Sequence, residues 1–330
     1  MTSSHSRFTR RRAVIIGALL GAAACATARP SAPAPTASAL ALLPSPKPAA
    51  ANELRDLVGE YDSAAGIVFV IEDSARLWLV DTARATRKRT ALEPSSIGSL
   101  RLTRRIVGPQ AGSNQLQVTP VRSVDDVRRE ALAASPPTEP PAARAPDFVE
   151  LTALDPTIKL EIRYATTNNF LGTRFYDEAR AFMQRPAAEA VVRANQKLRA
   201  LGYGLLIHDA YRPWYVTKMF WDATPLDKRW LVANPARGSN HNRGAAVDLT
   251  LFDLATGQPV EMPSTYDEST GRAFAKYPGG TSLQRWHRAL LRNAMVTEGF
   301  LVNPSEWWHF DYKNWRDYSI GNVAFDRIGR

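Results

Sequence analysis

Residues 239–252 read SNHNRGAAVDLTLF, and the change of texture halfway along decides what the rest of the chain must do. In the second half, strand alternation puts Val247, Leu249 and Leu251 on one face and Ala246, Asp248 and Thr250 on the other, so one carboxylate points away from the apolar face. The first half is a Ser/Asn/Gly-rich approach. Gly244 lets it double back, which brings His241 to the same point as Asp248. An imidazole and a carboxylate held together by a loop and a strand suit a cation. Two ligands do not hold a catalytic zinc, however, which takes three protein ligands and leaves one position open.

The third ligand is sought among five histidines. His5 lies at the extreme N-terminus, which leaves His208, His287 and His309 besides His241. His287 falls in the middle of a helical pattern beside Arg285 and Arg288, and is expected to be exposed. His309 closes EWWH (306–309), with Glu306 three residues ahead and Trp307 and Trp308 able to wall a dry site. With Glu306 in a turn and His309 opening a strand, both would face one metal, the histidine as ligand and the glutamate as base for the attacking water. The nitrogen and oxygen donors suit Zn2+, although iron, cobalt and manganese tolerate the same set. Each piece alone has an ordinary structural explanation, a satisfied core histidine or an aspartate acting as a cap. Their joint occurrence points to a metal centre. In HDAYRP (208–213), Arg212 follows a buried strand pattern, where it either stabilises an oxyanion or forms a surface pair with Asp209.

The elements around these motifs indicate an α+β domain from residue 147 to 330. AAEAVVRANQKLRALGYG (187–204) places Val191, Ala194, Leu198 and Leu201 on one helical face and stops at Gly202. The strand GLLIHD follows. A second helix over 282–299 carries Leu283, Trp286, Leu290 and Met295 and also ends at a glycine.

Upstream the chain reads differently. MTSSHSRFTRRRAVIIGALLGAAACATARP (1–30) has a basic start, an apolar run from Ala13 to Ala24 and small residues around Cys25, the pattern of an export leader over 1–28. The arginines before the apolar run are compatible with twin-arginine export as well as the general route. Cys25, the single cysteine, excludes an intrachain disulfide and a cysteine-based metal site, and its position permits lipid attachment. The expected location is therefore outside the cytoplasm, in the periplasm or cell envelope, with membrane contact only through the leader or a lipid on Cys25. Residues 29–50 read as a Pro/Ala tether, 51–133 as a small β-rich domain containing a hairpin in AGIVFVIEDSARLWLV (65–80) with its turn at Glu72–Ser74, and 134–146 as a Pro-rich linker. Further short strands are expected, as in NQLQVTPV (114–121). Of the formal charge of +10, +7 lies in residues 1–146. RATRKRT (84–90) and RLTRR (101–105) contribute to it, but lack the interleaved aromatics of a nucleic-acid surface and read as solvated faces.

Four motifs, EIRYATTNNF (161–170), GYGLLIHDAYRP (202–213), SNHNRGAAVDLTL (239–251) and EWWHFDY (306–312), resemble in type and order the D-alanyl-D-alanine dipeptidases, the zinc enzymes known from vancomycin resistance. The resemblance covers about residues 147–315. It implies a Hedgehog-like DD-peptidase fold with a central antiparallel sheet and flanking helices, one zinc per chain on His241, Asp248 and His309, Glu306 as catalytic acid and base, and Arg212 as transition-state stabiliser. It also implies that Tyr164, Ser239 and Asp267 line a pocket for the dipeptide D-Ala-D-Ala. The leader, tether and β-rich segment depart from the compact family pattern. They keep open a carboxypeptidase acting on longer peptidoglycan stems, and a wall-binding module whose zinc is only structural. An intact Glu306 argues against the latter, because a structural site needs no base.

Overall fold

A computed structural model describes residues 41–44, 46–50, 53–64, 66–81, 89–105 and 117–329. The leader and Cys25 lie outside these residues, as does most of the tether. Among the described residues, no helix is long and apolar enough to cross a membrane.

The strands and helices follow in chain order. Strands β1 (Gly59–Ser63), β2 (Gly66–Asp73), β3 (Arg76–Asp81), β4 (Arg89–Leu92) and β5 (Thr103–Arg104) precede helix α1 (Val124–Ala133). Next come β6 (Phe148–Glu150), a single turn α2 (Leu151–Leu154), β7 (Lys159–Leu160), β8 (Phe182–Gln184), α3 (Arg185–Arg199), β9 (Tyr203–Asp209) and α4 (Trp214–Ala223). The chain continues through β10 (Ala246–Asp253), α5 (Ser282–Thr297), β11 (Phe300–Asn303) and β12 (Glu306–Tyr312). The central sheet has the order β11-β12-β10-β9-β7, antiparallel except for the parallel β7–β9 edge. A mixed α+β architecture with a largely antiparallel central sheet is thus present.

β9 and β10 are buried on both faces, because helices cover one side and the cleft loops the other. The strict alternation read in AAVDLTLF therefore separates core from site rather than core from solvent. α3 starts with Pro186 in its first turn, where the missing N–H costs nothing, and lays Ala187, Val191, Ala194 and Leu198 against the core. It gives way to β9 through Gly202, whose φ of +87° suits a residue without a Cβ. α5 opens with a reciprocal Thr281–Gln284 capping box and buries Trp286, Leu290, Leu291, Ala294 and Met295.

The expected exposure of His287 is overturned. It is buried, its Nδ1 faces the Glu261 carbonyl at 3.1 Å and its Nε2 lies 3.5 Å from the Tyr203 hydroxyl. The flanking arginines do not mark a solvated face, since Arg285 donates to the carbonyls of Glu72 and Gly280 and Arg288 to those of Phe274 and Tyr277.

The N-terminal strands form a separate antiparallel sheet, β4-β3-β2-β1-β5. Its central hairpin turns at Ser74 and Ala75, both at positive φ, one residue beyond the turn read at Glu72–Ser74. The strand expected at NQLQVTPV is not formed over 117–121. Val118 instead donates its backbone N–H to the Phe170 carbonyl at 2.7 Å and joins the main core. α1, inside the segment assigned as β-rich, likewise puts Val127 and Ala131 into that core, so the main body reaches back beyond residue 147. Leu42 at the end of the tether is buried there too. In the Pro-rich stretch, Glu139 is ion-paired to Arg243 and accepts from the Ile320 N–H at 2.8 Å.

Glu72 joins the two sheets' territories. Its carboxylate is 2% exposed as a residue, yet accepts from the Ala75 N–H at 2.9 Å, the Ser282 N–H at 2.9 Å and the Ser282 hydroxyl at 2.6 Å. It thereby tightens the β2–β3 turn and caps the positive end of α5. Glu72→Ala strips the two buried Ser282 donors and the Ala75 N–H of their acceptor and is expected to destabilise the protein by about 1–3 kcal/mol in urea unfolding. An unchanged midpoint would mean that the sheet is not fastened to α5 through this residue.

Candidate metal centre

One cavity of about 640 Å³ brings together all eight residues singled out in the sequence: Tyr164, Arg212, Ser239, His241, Asp248, Asp267, Glu306 and His309. Local structure explains how each arrives. His241 sits in a short 3-10 turn, Asn240–Arg243, capped by Ser239 and closed by Gly244 at φ +65°. A Cβ on Gly244 would come within 2.4 Å of the Phe148 ring, so this turn tolerates neither the strain nor the bulk of another residue. Asp248 and His309 are cross-strand partners on β10 and β12, a pairing that sets carboxylate and imidazole side by side. On the other side of β10, a bulge places both His208 and Asp209 of β9 opposite Asp248.

Glu306 opens β12 rather than lying before it. Strict alternation would put Glu306 and His309 on opposite faces. The ladder with β11 jumps from the pair Val302–Phe310 to the pair Asn303–Glu306, and that irregularity turns Glu306 back toward the cleft. Its Oε2 stands 3.9 Å from His309 Nδ1 and accepts from Asn303 Nδ2 at 3.0 Å. The carboxylate is partly open to the cleft. Desolvation there raises its pKa, and the nearby Asp248 charge adds to the rise against the opposing pull of His309.

The donor set decides what the three central residues hold. His241 Nδ1 lies 2.7 Å from the Ala210 carbonyl and His309 Nε2 lies 3.0 Å from Asp311 Oδ1. Each partner fixes the proton on that nitrogen. His241 Nε2 and His309 Nδ1 face each other 3.1 Å apart, and Asp248 Oδ1 stands 3.4 and 2.9 Å from them. Burial opposes a charge on His309, but Asp248 and Asp311 favour a proton on its ring; a cation would take that proton's place and join all three converging atoms. Four-coordinate zinc at ~2.0–2.1 Å from its ligands separates them by about 3.3 Å, which matches this triangle. The residues therefore fit zinc. Among the described residues, the three form a His/Asp/His group able to hold a metal ion. Burial alone would raise the Asp248 carboxyl, but His241 and His309 hold it well below the usual carboxylate range.

The surroundings were only partly legible beforehand. Arg212 does pair with Asp209, at 2.6 and 3.0 Å, yet the pair is buried rather than on the surface. Tyr176 donates to the other Asp209 oxygen at 2.7 Å. The guanidinium lies over the rings of Tyr164 and Phe220, at 5.2 and 4.9 Å, and reaches the cleft from there. Tyr164 donates to Asp267 Oδ2 at 3.1 Å. Burial, reinforced by the charges of Asp248 and Glu306, pushes the Asp267 carboxyl up to about 8. Asp267 adopts φ +58°, a left-handed conformation that aspartate tolerates better than most residues. Tyr266 and Asp311 escaped the sequence reading, and Asp209 entered it only as a surface partner of Arg212. Tyr266 donates to the second oxygen of Asp248 at 2.9 Å. Asp311, two residues beyond His309 on one strand face, was findable by alternation, whereas Tyr266 lies in an irregular loop without periodic signal.

Residues 144–319 match the family described as D-ala-D-ala dipeptidase. Among curated proteins, the chain is 34% identical over 174 residues to the D-alanyl-D-alanine dipeptidase of Escherichia coli, covering 53% of this chain and 89% of that one. It is 32% identical over 187 residues to that of Enterococcus faecium, covering 51% and 91%, and 30% identical over 185 residues to that of Streptomyces coelicolor, covering 51% and 92%.

Asp311→Ala frees the His309 ring from its orienting partner and should weaken zinc binding 10–100-fold in competition with a chromophoric chelator. Wild-type affinity in this variant would show that the His309 tautomer is fixed by something else.

Proposed function

Since the chain belongs to the D-ala-D-ala dipeptidase family of zinc metallopeptidases, we propose that it hydrolyses the dipeptide D-Ala-D-Ala to two molecules of D-alanine in the cleft around His241, Asp248 and His309, on a Hedgehog-like DD-peptidase fold. The observation that carries this reading is the convergence of three ligand atoms, from His241, Asp248 and His309, beside the Glu306 carboxylate in a cavity that also holds the buried side chain of Asp267.

His241, Asp248 and His309 would hold the zinc, which would supply an easier deprotonation of water and the polarisation of a carbonyl. Glu306 takes the proton from the attacking water as the new C–O bond forms. Arg212, kept charged by Asp209 although burial opposes it, lies where its free donors stabilise the developing oxyanion. Glu306 then delivers the proton to the leaving amine as the C–N bond breaks, so one carboxyl serves both transfers. Its raised pKa suits that double task, since a base too weak could not accept the proton and a base too strong could not return it. Asp267, oriented by Tyr164 and pushed up to about 8 by burial and its acidic neighbours, gives up its proton on receiving the substrate's ammonium group, and Ser239 lines the same pocket.

We also infer export of the protein through its N-terminal leader, with lipid attachment at Cys25, into the periplasm or cell envelope. There the dipeptide would come from wall turnover.

Substrate length separates this reading from a carboxypeptidase. A dipeptidase recognises a free amino end, whereas a carboxypeptidase acts where the preceding residue continues as an uncharged peptide and has no use for a buried carboxylate. Zinc-loaded protein is expected to cleave free D-Ala-D-Ala ~10²-fold faster in kcat/KM than the N-acylated form, about 3 kcal/mol as for one lost charged hydrogen bond. Asp267→Asn should shrink the preference. Equal rates on the two substrates would favour the carboxypeptidase.

A further inference from the structure

The N-terminal sheet contains no cluster of catalytic side chains, but one of its faces is fastened to the cleft wall. Phe69, Ile71 and Val80, with Trp78 beside them, pack on Tyr277, whose ring meets that of Phe69 edge-on at 5.5 Å. The Tyr277 hydroxyl bonds Glu60 on the neighbouring strand β1. The ring also lies so close over Gly279 that a Cβ there would be 2.4 Å from the hydroxyl oxygen. The opposite face of the sheet is closed by the chain's own residues, Leu54, Leu57, Val58 and Ile97 among them.

From Tyr277 the contacts run directly to the site. Ala273 and Phe274 line the cleft. Arg288 of α5 grips the carbonyls of Phe274 and Tyr277 at 3.3 and 2.8 Å. Between them the Ala275 N–H donates to the Pro304 carbonyl at 3.0 Å, in the turn that leads into Glu306. Asn303 and Ser305 of that turn line the cleft as well. The segment 274–277 is thus in contact with the sheet on one side and with the Glu306 turn on the other. The sheet's second attachment, Glu72 at the start of α5, anchors the helix from which Arg288 reaches.

We propose that the N-terminal sheet is a positioning element for the catalytic cleft, acting through Phe69 and Tyr277 to hold residues 274–277 against the turn that carries Glu306. Phe69 and Tyr277 are positioning residues, since neither lines the cavity. A displacement of about 1 Å at a catalytic group can cost ~10²-fold in rate, so a brace remote from the chemistry has kinetic consequences. For its kinetic readout the proposal rests on the dipeptidase reading.

Full-length, zinc-loaded Phe69→Ala, Tyr277→Leu and Tyr277→Phe are compared with the wild type at a temperature where near-ultraviolet circular dichroism shows all four folded. Two quantities are read: kcat/KM on D-Ala-D-Ala with zinc content, and amide hydrogen exchange over residues 271–281 and 303–306. The expected result for Phe69→Ala and Tyr277→Leu is exchange accelerated in those two segments only, unchanged zinc, and kcat/KM lowered roughly ten- to hundredfold. Tyr277→Phe, which keeps the ring, should stay near wild type in both. Wild-type kinetics in Phe69→Ala, or exchange accelerated evenly throughout the chain, would overturn the proposal. A wild-type protein that leaves D-Ala-D-Ala intact would remove the dipeptidase reading instead, and the exchange pattern would still decide the brace.

Discussion

Two imidazole nitrogens and a carboxylate oxygen are held 2.9–3.4 Å apart, close enough for one cation to join all three, and much of the main body serves to keep them there. The β10–β12 pairing fixes Asp248 against His309. Gly244 and the Ser239 cap fix the turn of His241. Ala210, Asp311 and Tyr266 take the remaining polar positions of the three ligands, so that no ligand can turn away to satisfy itself elsewhere. Asn242 locks this turn from behind, donating to the Arg212 carbonyl at 2.7 Å and the Thr217 hydroxyl at 2.8 Å. Arg212 and His241 are thereby tied to one backbone unit.

Charge organises the cleft around that centre. Asp248, Asp267 and Glu306 share one cavity, and Arg212 is the buried cation that lines it among the described residues. Their mutual repulsion, together with desolvation, raises Asp267 and Glu306, while Asp248 stays ionised between two histidines. In the proposed mechanism, carboxyl groups of one chemistry take three tasks set by their surroundings: ligand, proton carrier and ammonium receptor.

The chemistry was more legible in the sequence than the framework. His241, Asp248, His309 and Glu306 stand on short motifs whose residue types leave few other uses, and the helices around residues 187–199 and 282–297 announce themselves by period and terminal glycine. The irregular ladder that turns Glu306 inward could not be read, because alternation alone would have sent it to the opposite face from His309. Nor could the burial of His287, which depends on Glu261 and Tyr203, distant in the chain. The sharing of one core by Leu42, Val118 and Val127 was hidden for the same reason. Local pattern marks elements, and long-range packing decides what they bury.

The account stands or falls on separating the metal from the base. Glu306→Gln preserves the shape of the side chain and touches none of the three ligands, so metal analysis and turnover of D-Ala-D-Ala on the same preparation test the centre most directly. The variant is expected to keep about one zinc per chain while kcat falls by at least ~10²-fold, the share general acid–base catalysis supplies. Activity that survives the substitution, or zinc that leaves with it, would contradict the roles assigned to Glu306 and to its three neighbours.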